Sequence, residues 1–215
     1  EMLRSLVGSE MCIRDSNDTN LWKRPPLLSA ADIAAFAKQA AGLRGVKQLR
    51  WAAEHMTGQT ASPFEVQTSM LVSLPRDEGG MGINIANNVR IPLSDAARSL
   101  YDKTCCYADI LIESNIDSMG VILECQGRSA HDSEAASLSD AERTTALTSM
   151  GYDVIQITYE QIKDTKSFNN IAELIHKKAG LPYIPKTDQE RTAAETLRRE
   201  LLVNWDELFS VKPAG

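Results

Sequence analysis

Cysteines are few in this chain of 215 residues, and basic residues are outnumbered by acidic ones. Its 29 Asp and Glu residues outnumber the 23 Lys and Arg residues, and the formal net charge is −6 at pH 7. Phosphate binding is driven by Lys and Arg, so this balance argues against a protein whose whole surface coats nucleic acid. A local basic groove remains open, because net charge does not decide the chemistry of a single site.

The chain also lacks the cysteine spacing of a disulfide framework or a zinc site, since none of its four cysteines forms a CxxC pair. We therefore expect reduced thiols and a cytoplasmic protein. No apolar run approaches the roughly 18–20 residues that cross a bilayer, so we expect neither a membrane span nor a membrane partner. Hydrophobic residues make up 43% and charged residues 24%, which is typical of a globular domain.

The first sixteen residues do not resemble part of a folded domain. Residues 6–16 read LVGSEMCIRDS, which resembles a translated sequencing-library adapter of the kind that contaminates assembled environmental DNA. They also lack the apolar stretch of a secretory signal, so export is not implied. We treat residues 1–16 as an artefact. The rest divides into a helical N-terminal segment at 17–58, a central domain at 59–182, and a C-terminal helix and tail at 183–215.

Helical patterns dominate the first part of the chain. Ser29 is an N-cap candidate for one helix, and residues 46–55 form a second helical stretch. The sequence SPFE at 62–65 combines a serine N-cap, a proline at the first helical position and a glutamate at the third. Residues 76–87 are rich in glycine, and we expect a mobile loop there.

Strand patterns follow, beginning with two β-rich runs at 107–113 and 119–126 that predict a hairpin. The other predicted elements are a short strand at 89–92, a helix at 140–150, a buried strand at 153–158, a helix at 159–179 and a charged helix from 188 to about 205. This order predicts an α/β (α+β) fold in which a mixed central sheet is flanked by helices.

Two acidic residues of the hairpin carry the functional hypothesis. With the turn centred near residues 116–117, Asp109 lies opposite Glu124, and opposed side chains are roughly 4.5–5.5 Å apart at Cβ. A divalent cation removes their repulsion, and Mg²⁺ binds one or two carboxylates together with waters and phosphates. Gln126 shares the face of Glu124 and can orient a metal-bound water. The carbonyl of Cys125 is a further candidate ligand.

The residues around these acids follow a known order. Asp109 is followed by the segment LECQG at 123–127, which leads to His131, and the next helix carries Asp140 and Arg143. This order resembles the PD-(D/E)xK nuclease superfamily. Within it, the sequence is most similar to the small endonucleases related to the very-short-patch mismatch-repair enzyme.

This resemblance covers roughly residues 45–180 and implies a restriction-endonuclease-like core. It implies an endonuclease that hydrolyses DNA phosphodiester bonds through a water activated by Mg²⁺, with Mn²⁺ as a possible substitute. The implied catalytic residues are Asp109, Glu124, Gln126, Glu65 and His131. The metal ligands on this view are Asp109, Glu124 and Cys125. The expected contacts to nucleic acid are Arg143, Gln126 and Arg128.

Several of these residues also have plainer interpretations. Asp109 and Glu124 would be ordinary solvent-facing strand residues in many proteins, since carboxylates are mostly exposed. Glu113 competes with Asp109 as the paired acid. Glu65 is suited to satisfy the start of its own helix, and the two roles are compatible. Arg143 either contacts a phosphate or pairs with an acid of its own helix.

The sequence departs from the superfamily pattern at two places. Gln126 stands where the signature has a lysine, and no proline precedes Asp109. The first departure, with the acidic net charge, favours an alternative function: a catalytically inactive relative that binds DNA or a partner protein, for example as a regulator in phage defence or in a mobile element. His131 is either a proton donor to the leaving oxygen, a hydrogen-bond partner of Asp140, or an ordinary exposed loop histidine. Substrate form, biological role and oligomeric state stay open.

Overall fold

This computed structural model describes residues 28–126 and 134–202, together with a short antiparallel pair of strands, β1 (Ile13–Arg14) and β2 (Leu21–Trp22). The other strands described form one sheet: β3 (Ala86–Pro92), β4 (Cys105–Ile112), β5 (Gly120–Gln126) and β6 (Tyr152–Thr158). Their order is β3-β4-β5-β6. The first two pairings are antiparallel and the pairing of β5 with β6 is parallel, so the sheet is mixed.

Helices flank this sheet, and the mixed α/β class predicted from the sequence is confirmed. The helices described are α1 (Ala30–Gln39), α2 (Val46–Glu54), α3 (Pro63–Ser73), α4 (Asp95–Arg98), α5 (Glu134–Ser149), α6 (Tyr159–Lys163), α7 (Thr165–Ala179) and α8 (Asp188–Leu201). A short 3-10 helix covers Arg76–Glu78. Among the residues described, no helix is both long enough and apolar enough to cross a membrane.

The sheet has an apolar core on each face. Adjacent residues of a strand point to opposite faces, so Leu123 joins one core and Ile122 the other. The first core packs the sheet against α3 and α7, and includes Phe64, Leu71, Ile110, Ile112, Val121, Ile157 and Ile175. The second core packs it against α4 and α5, and includes Ile91, Ala97, Ala108, Ala146 and Leu147.

The β4–β5 hairpin has the register that the sequence predicted. Ile110 pairs with Leu123, and Ile112 pairs with Val121. This register centres the turn at residues 116–117, and it is fixed by the pattern of apolar residues because a one-residue slip would move every side chain to the wrong face.

The glycine-rich segment at 76–87 is packed, and the prediction of a mobile loop is wrong. Met81 and Ile83 are buried in the first core, and both donate backbone hydrogen bonds of 3.1 Å to carbonyls of α3. A Cβ on Gly80 would overlap the backbone of Leu74. The glycines therefore allow two backbone segments to approach closely.

The helix predicted at 159–179 is divided at Asp164. The Asp164 carboxylate accepts a hydrogen bond of 2.8 Å from the N–H of Ser167, and this N-cap contact starts α7. The backbone of Asp164 is extended, so α6 ends there. Two other elements, β3 and α5, begin earlier than predicted.

Gly79 lies against α8 too closely for any side chain. A Cβ built on Gly79 would be 2.5 Å from the carbonyl oxygen of Ala193, and Gly79 has a φ of +97°. Gly42 has a similar φ of +88°, but its Cβ would meet no atom within 4 Å. The two glycines share a left-handed backbone conformation, but only Gly79 has neighbouring atoms where a side chain would lie.

We predict that Gly79→Ala lowers the free energy of unfolding by about 3 kcal/mol, of which about 1 kcal/mol is left-handed strain and the rest is overlap with α8. Gly42→Ala is the matched control and should lose only the strain, about 1 kcal/mol. Urea denaturation followed by circular dichroism measures both. Equal losses would show that α8 does not lie against Gly79.

Candidate active site

Asp109 lies where β4 and β5 stop pairing through their backbones. Ile110 and Leu123 are the last partners in the ladder, and the next residues in the same register are Asp109 and Glu124. The Oδ2 atom of Asp109 accepts a hydrogen bond of 2.8 Å from the backbone N–H of Cys125. A side chain thus replaces the next backbone contact. The register places Asp109 opposite Glu124 at this end of the hairpin, and the charge of Asp109 acts on Glu124.

Strand β4 changes face at Asp109. Ile110 belongs to the first core but Ala108 belongs to the second, although residues two apart on a strand ordinarily share a face. The residue opposite Asp109 on β3 is Asn88, which has a left-handed φ of 50°. Because of this reversal, the Asp109 carboxylate acts electrostatically on groups of both α3 and α5, which cover opposite faces.

Glu124 is deeply buried, with 2% of its surface exposed. Its Oε2 atom accepts a hydrogen bond from Nη2 of Arg143, and the two side chains form an ion pair. Its Oε1 atom is also buried and has no hydrogen-bond partner in the described part of the chain. Burial, and then the charge of Asp109, raise the pKa of Glu124 to about 7, although Arg143 opposes the shift.

Three carboxylates share the positive charge of Arg143. Burial raises the pKa of Asp109, while the Cys125 N–H and Arg143 lower it and the charge of Asp140 raises it further. The charges of Glu124, Asp109 and Asp140 all act on Arg143 in return. One guanidinium leaves this group with excess negative charge, which a further cation would offset.

Glu65 begins helix α3 as the sequence predicted. Ser62 is the N-cap, and its Oγ atom accepts the Glu65 N–H at 3.2 Å. The Glu65 carboxylate accepts hydrogen bonds from the Ala61 N–H at 2.6 Å and from the Ser62 hydroxyl at 2.9 Å. Its role at the helix start is therefore confirmed by contact. Burial raises the pKa of Glu65, and the charge of Asp109 raises it further, so this carboxylate is electrostatically coupled to Asp109.

Arg143 pairs with Glu124 on β5, and the described contacts do not include the surface pair expected within its own helix. Gln126 is half-buried at the end of β5 and lies beside Thr158 of β6 in register. Burial raises the pKa of the Cys125 thiol, so this thiol stays protonated and unreactive. Cys125 therefore contributes to the site through its backbone.

His131 and Arg128 lie outside the described residues, and their roles stay predictions. Sequence reasoning missed Thr68, which is fully buried, donates to a carbonyl of its own helix at 2.9 Å and also contacts the Cys125 thiol. Ser69 beside it is buried as well. The available signal was a run of polar residues inside α3, at positions where a core helix ordinarily carries apolar ones.

The acids of this site form a pair rather than a complete set of metal ligands. Within the ranges that the structure describes, no group of three or more His, Cys, Asp and Glu side chains is arranged to hold a metal ion. An ion bound at Asp109 and Glu124 would need water and substrate oxygens to complete its coordination, which is the usual arrangement for Mg²⁺.

No family model, curated protein or solved structure matches this chain.

We predict that Arg143→Met lowers the free energy of unfolding at pH 8 by about 3 kcal/mol, because it leaves Glu124 as an uncompensated buried charge. The loss should be smaller at pH 6. Below a pKa of about 7 Glu124 is mostly protonated, so the ion pair contributes less in the original protein too. Urea denaturation at both pH values measures this difference.

Arg98→Met is the matched control, because Arg98 pairs with Asp95 at 3.6 Å on the surface of α4. Its removal should cost less than about 1 kcal/mol at either pH. The account of Glu124 is wrong if Arg143→Met is no more damaging than Arg98→Met at pH 8.

Proposed function

We propose that this chain is a metal-dependent endonuclease with a restriction-endonuclease-like core, which hydrolyses DNA phosphodiester bonds with Mg²⁺ or Mn²⁺. The observation that carries the proposal is the buried Oε1 atom of Glu124, which lacks a hydrogen-bond partner among the described residues. The charge of Asp109 also raises the pKa of this carboxyl group. A buried acceptor in this state costs free energy until something satisfies it. A small divalent cation would do so and would also offset the repulsion between the acids.

The available donors suit a hard cation. Asp109 and Glu124 offer carboxylate oxygens, and the carbonyl of Cys125 is a third candidate. The N–H of Cys125 holds Asp109 at 2.8 Å, which fixes the direction of that carboxylate. Glu65, held by its own helix start, assists from the other face. A bound ion would lower the pKa of its water and stabilise charge on the phosphate oxygens.

The remaining side chains supply positioning. The Gln126 amide offers both a donor and an acceptor, and so can orient a water or the scissile phosphate at the end of β5. Arg143 neutralises Glu124 and can turn its other N–H groups toward a phosphate. In this proposal His131 donates a proton to the leaving oxygen, and Arg128 contacts the DNA backbone.

A second candidate function is favoured by the Arg143–Glu124 ion pair. A guanidinium that neutralises Glu124 permanently removes much of the need for a metal ion, and Gln126 replaces the lysine of the nuclease signature. The chain would then be an inactive relative that binds DNA or a partner protein. Such a protein would bind DNA without requiring Mn²⁺ and would leave every form of DNA uncut.

We predict that the purified protein binds Mn²⁺ and nicks or cuts DNA, and that Asp109→Asn lowers both the affinity for Mn²⁺ and the cleavage rate by about 100-fold or more. Glu113→Gln is the matched control, because Glu113 is an exposed acid just after β4 and should leave both quantities unchanged. Calorimetric titration and a plasmid cleavage assay measure them. Absence of Mn²⁺ binding together with intact DNA would support the second function.

We also predict that the affinity for Mn²⁺ falls as the pH is lowered through 7. Glu124 has a pKa raised to about 7, so below that pH the ion must displace a proton. One competing proton weakens binding by about tenfold for each further pH unit. Titrations at pH 6, 7 and 8 measure the slope, and an affinity that is equal at all three would mean that Glu124 is not a ligand.

A further inference from the structure

A second concave site lies between α7, α8 and the segment at residues 180–187. Its volume is about 280 Å³, near the lower limit of ordinary ligand pockets. The walls include the aromatic side chains of Phe168, His176 and Tyr183. The pocket shares no lining residue with the acid pair of β4 and β5.

The pocket is lined by the cationic side chains of Arg76, Lys186, Arg191 and Arg198, and by the acid Glu195. Two of these cations are already compensated. Arg76 pairs with Glu190 at 2.8 Å, and Arg191 pairs with Asp188. Lys186 and Arg198 have no ion-pair contact with a carboxylate in residues 28–126 and 134–202. These two cations exceed the one remaining acid of the walls, Glu195, so the lining carries a net positive charge.

Arg198 is buried, with only 8% of its surface exposed. Its Nη2 atom donates to the carbonyl of Lys163 at 2.9 Å, and its guanidinium carbon lies 4.9 Å from the centre of the Phe168 ring. Its Nη1 atom is buried with no hydrogen-bond partner in the described part of the chain. Asp164 acts on Arg198 only from a distance. A buried charged donor left in this state favours an anionic partner.

Lys186 is affected by the positive charges of the same pocket. Burial, and then the charges of Arg76 and Arg198, lower the pKa of Lys186. Arg76 also donates hydrogen bonds to the carbonyls of Ile184 and Pro185 at 3.0 and 3.1 Å, which fixes the segment that carries Lys186. The cations are therefore positioned before any ligand arrives.

We propose that this pocket binds a small phosphate-bearing anion, with Arg198 and Lys186 as its principal contacts. The planar donor fork of a guanidinium matches phosphate oxygens, and a lysine adds a compact charge. The small, concave volume favours a compact ligand over a nucleic-acid backbone, which is bound by cations spread along an open surface. Tyr183, 48% exposed at the pocket, offers a ring against which an organic part can pack.

Calorimetric titration of the full chain with inorganic pyrophosphate, in buffer containing EDTA, tests the proposal. We expect saturable binding that Lys186→Gln weakens at least tenfold. Arg198→Lys should also weaken it, because the charge stays while the planar fork is lost. Lys47→Gln, which changes an exposed lysine of α2, is the matched control and should bind like the original protein. Asp109→Asn should do so as well, whether or not the chain proves to be a nuclease.

Competition identifies the source of the phosphate. Displacement of pyrophosphate by adenosine monophosphate, but not by a short DNA duplex, would support a small ligand. Displacement by the duplex alone would overturn the proposal. It would also be overturned by the absence of saturable binding, or by an equal loss in Lys186→Gln and Lys47→Gln. A changed affinity in Asp109→Asn, in either direction, would place the anion at the acid pair and would overturn it too.

Discussion

Two acids at the end of one hairpin, the buried Glu124 and the half-buried Asp109, are the constraint on which the rest of the site depends. Glu124 has an ordinary pKa of 4.5 that is raised to about 7 in the folded protein. Between these values the folded chain keeps a proton that the unfolded chain releases, so this group lowers stability as the pH rises. Above pH 7 Glu124 is ionised in both states, and the folded chain bears the full cost of burying its charge. A fold selected for stability alone has little reason to keep such a residue.

The surrounding groups stabilise the acids in their ionised forms. Arg143 reaches Glu124 from α5, and the N–H of Cys125 compensates Asp109 from the neighbouring strand. Glu65 is compensated by the start of its own helix. These contacts come from both faces of the sheet, and they meet because β4 changes face at Asp109. The change of face in β4 and the interacting acids therefore occur at the same place in the fold, as expected of a functional site.

Local signals in the sequence predicted the elements that depend on local contacts. The SPFE segment specified the start of α3, and the apolar pattern of residues 107–126 fixed the hairpin register that brings Asp109 to Glu124. The packed glycine segment at 76–87 depends on contacts with distant elements, so its composition suggested the opposite. The pairing of Arg143 with Glu124 could not be predicted from the sequence either, because it depends on how α5 packs against the sheet.

The contact between Gly79 and α8 bears on how the chain can be divided. Leu197 of α8 is buried in the first core, and the Gln67 amide donates to the carbonyl of Leu201 at 2.7 Å. A fragment ending near residue 182 would expose apolar surface on α3 and leave a buried amide without its acceptor. The smallest unit suited to expression therefore extends to the end of α8, even though the proposed cleavage of DNA involves none of the residues of this helix.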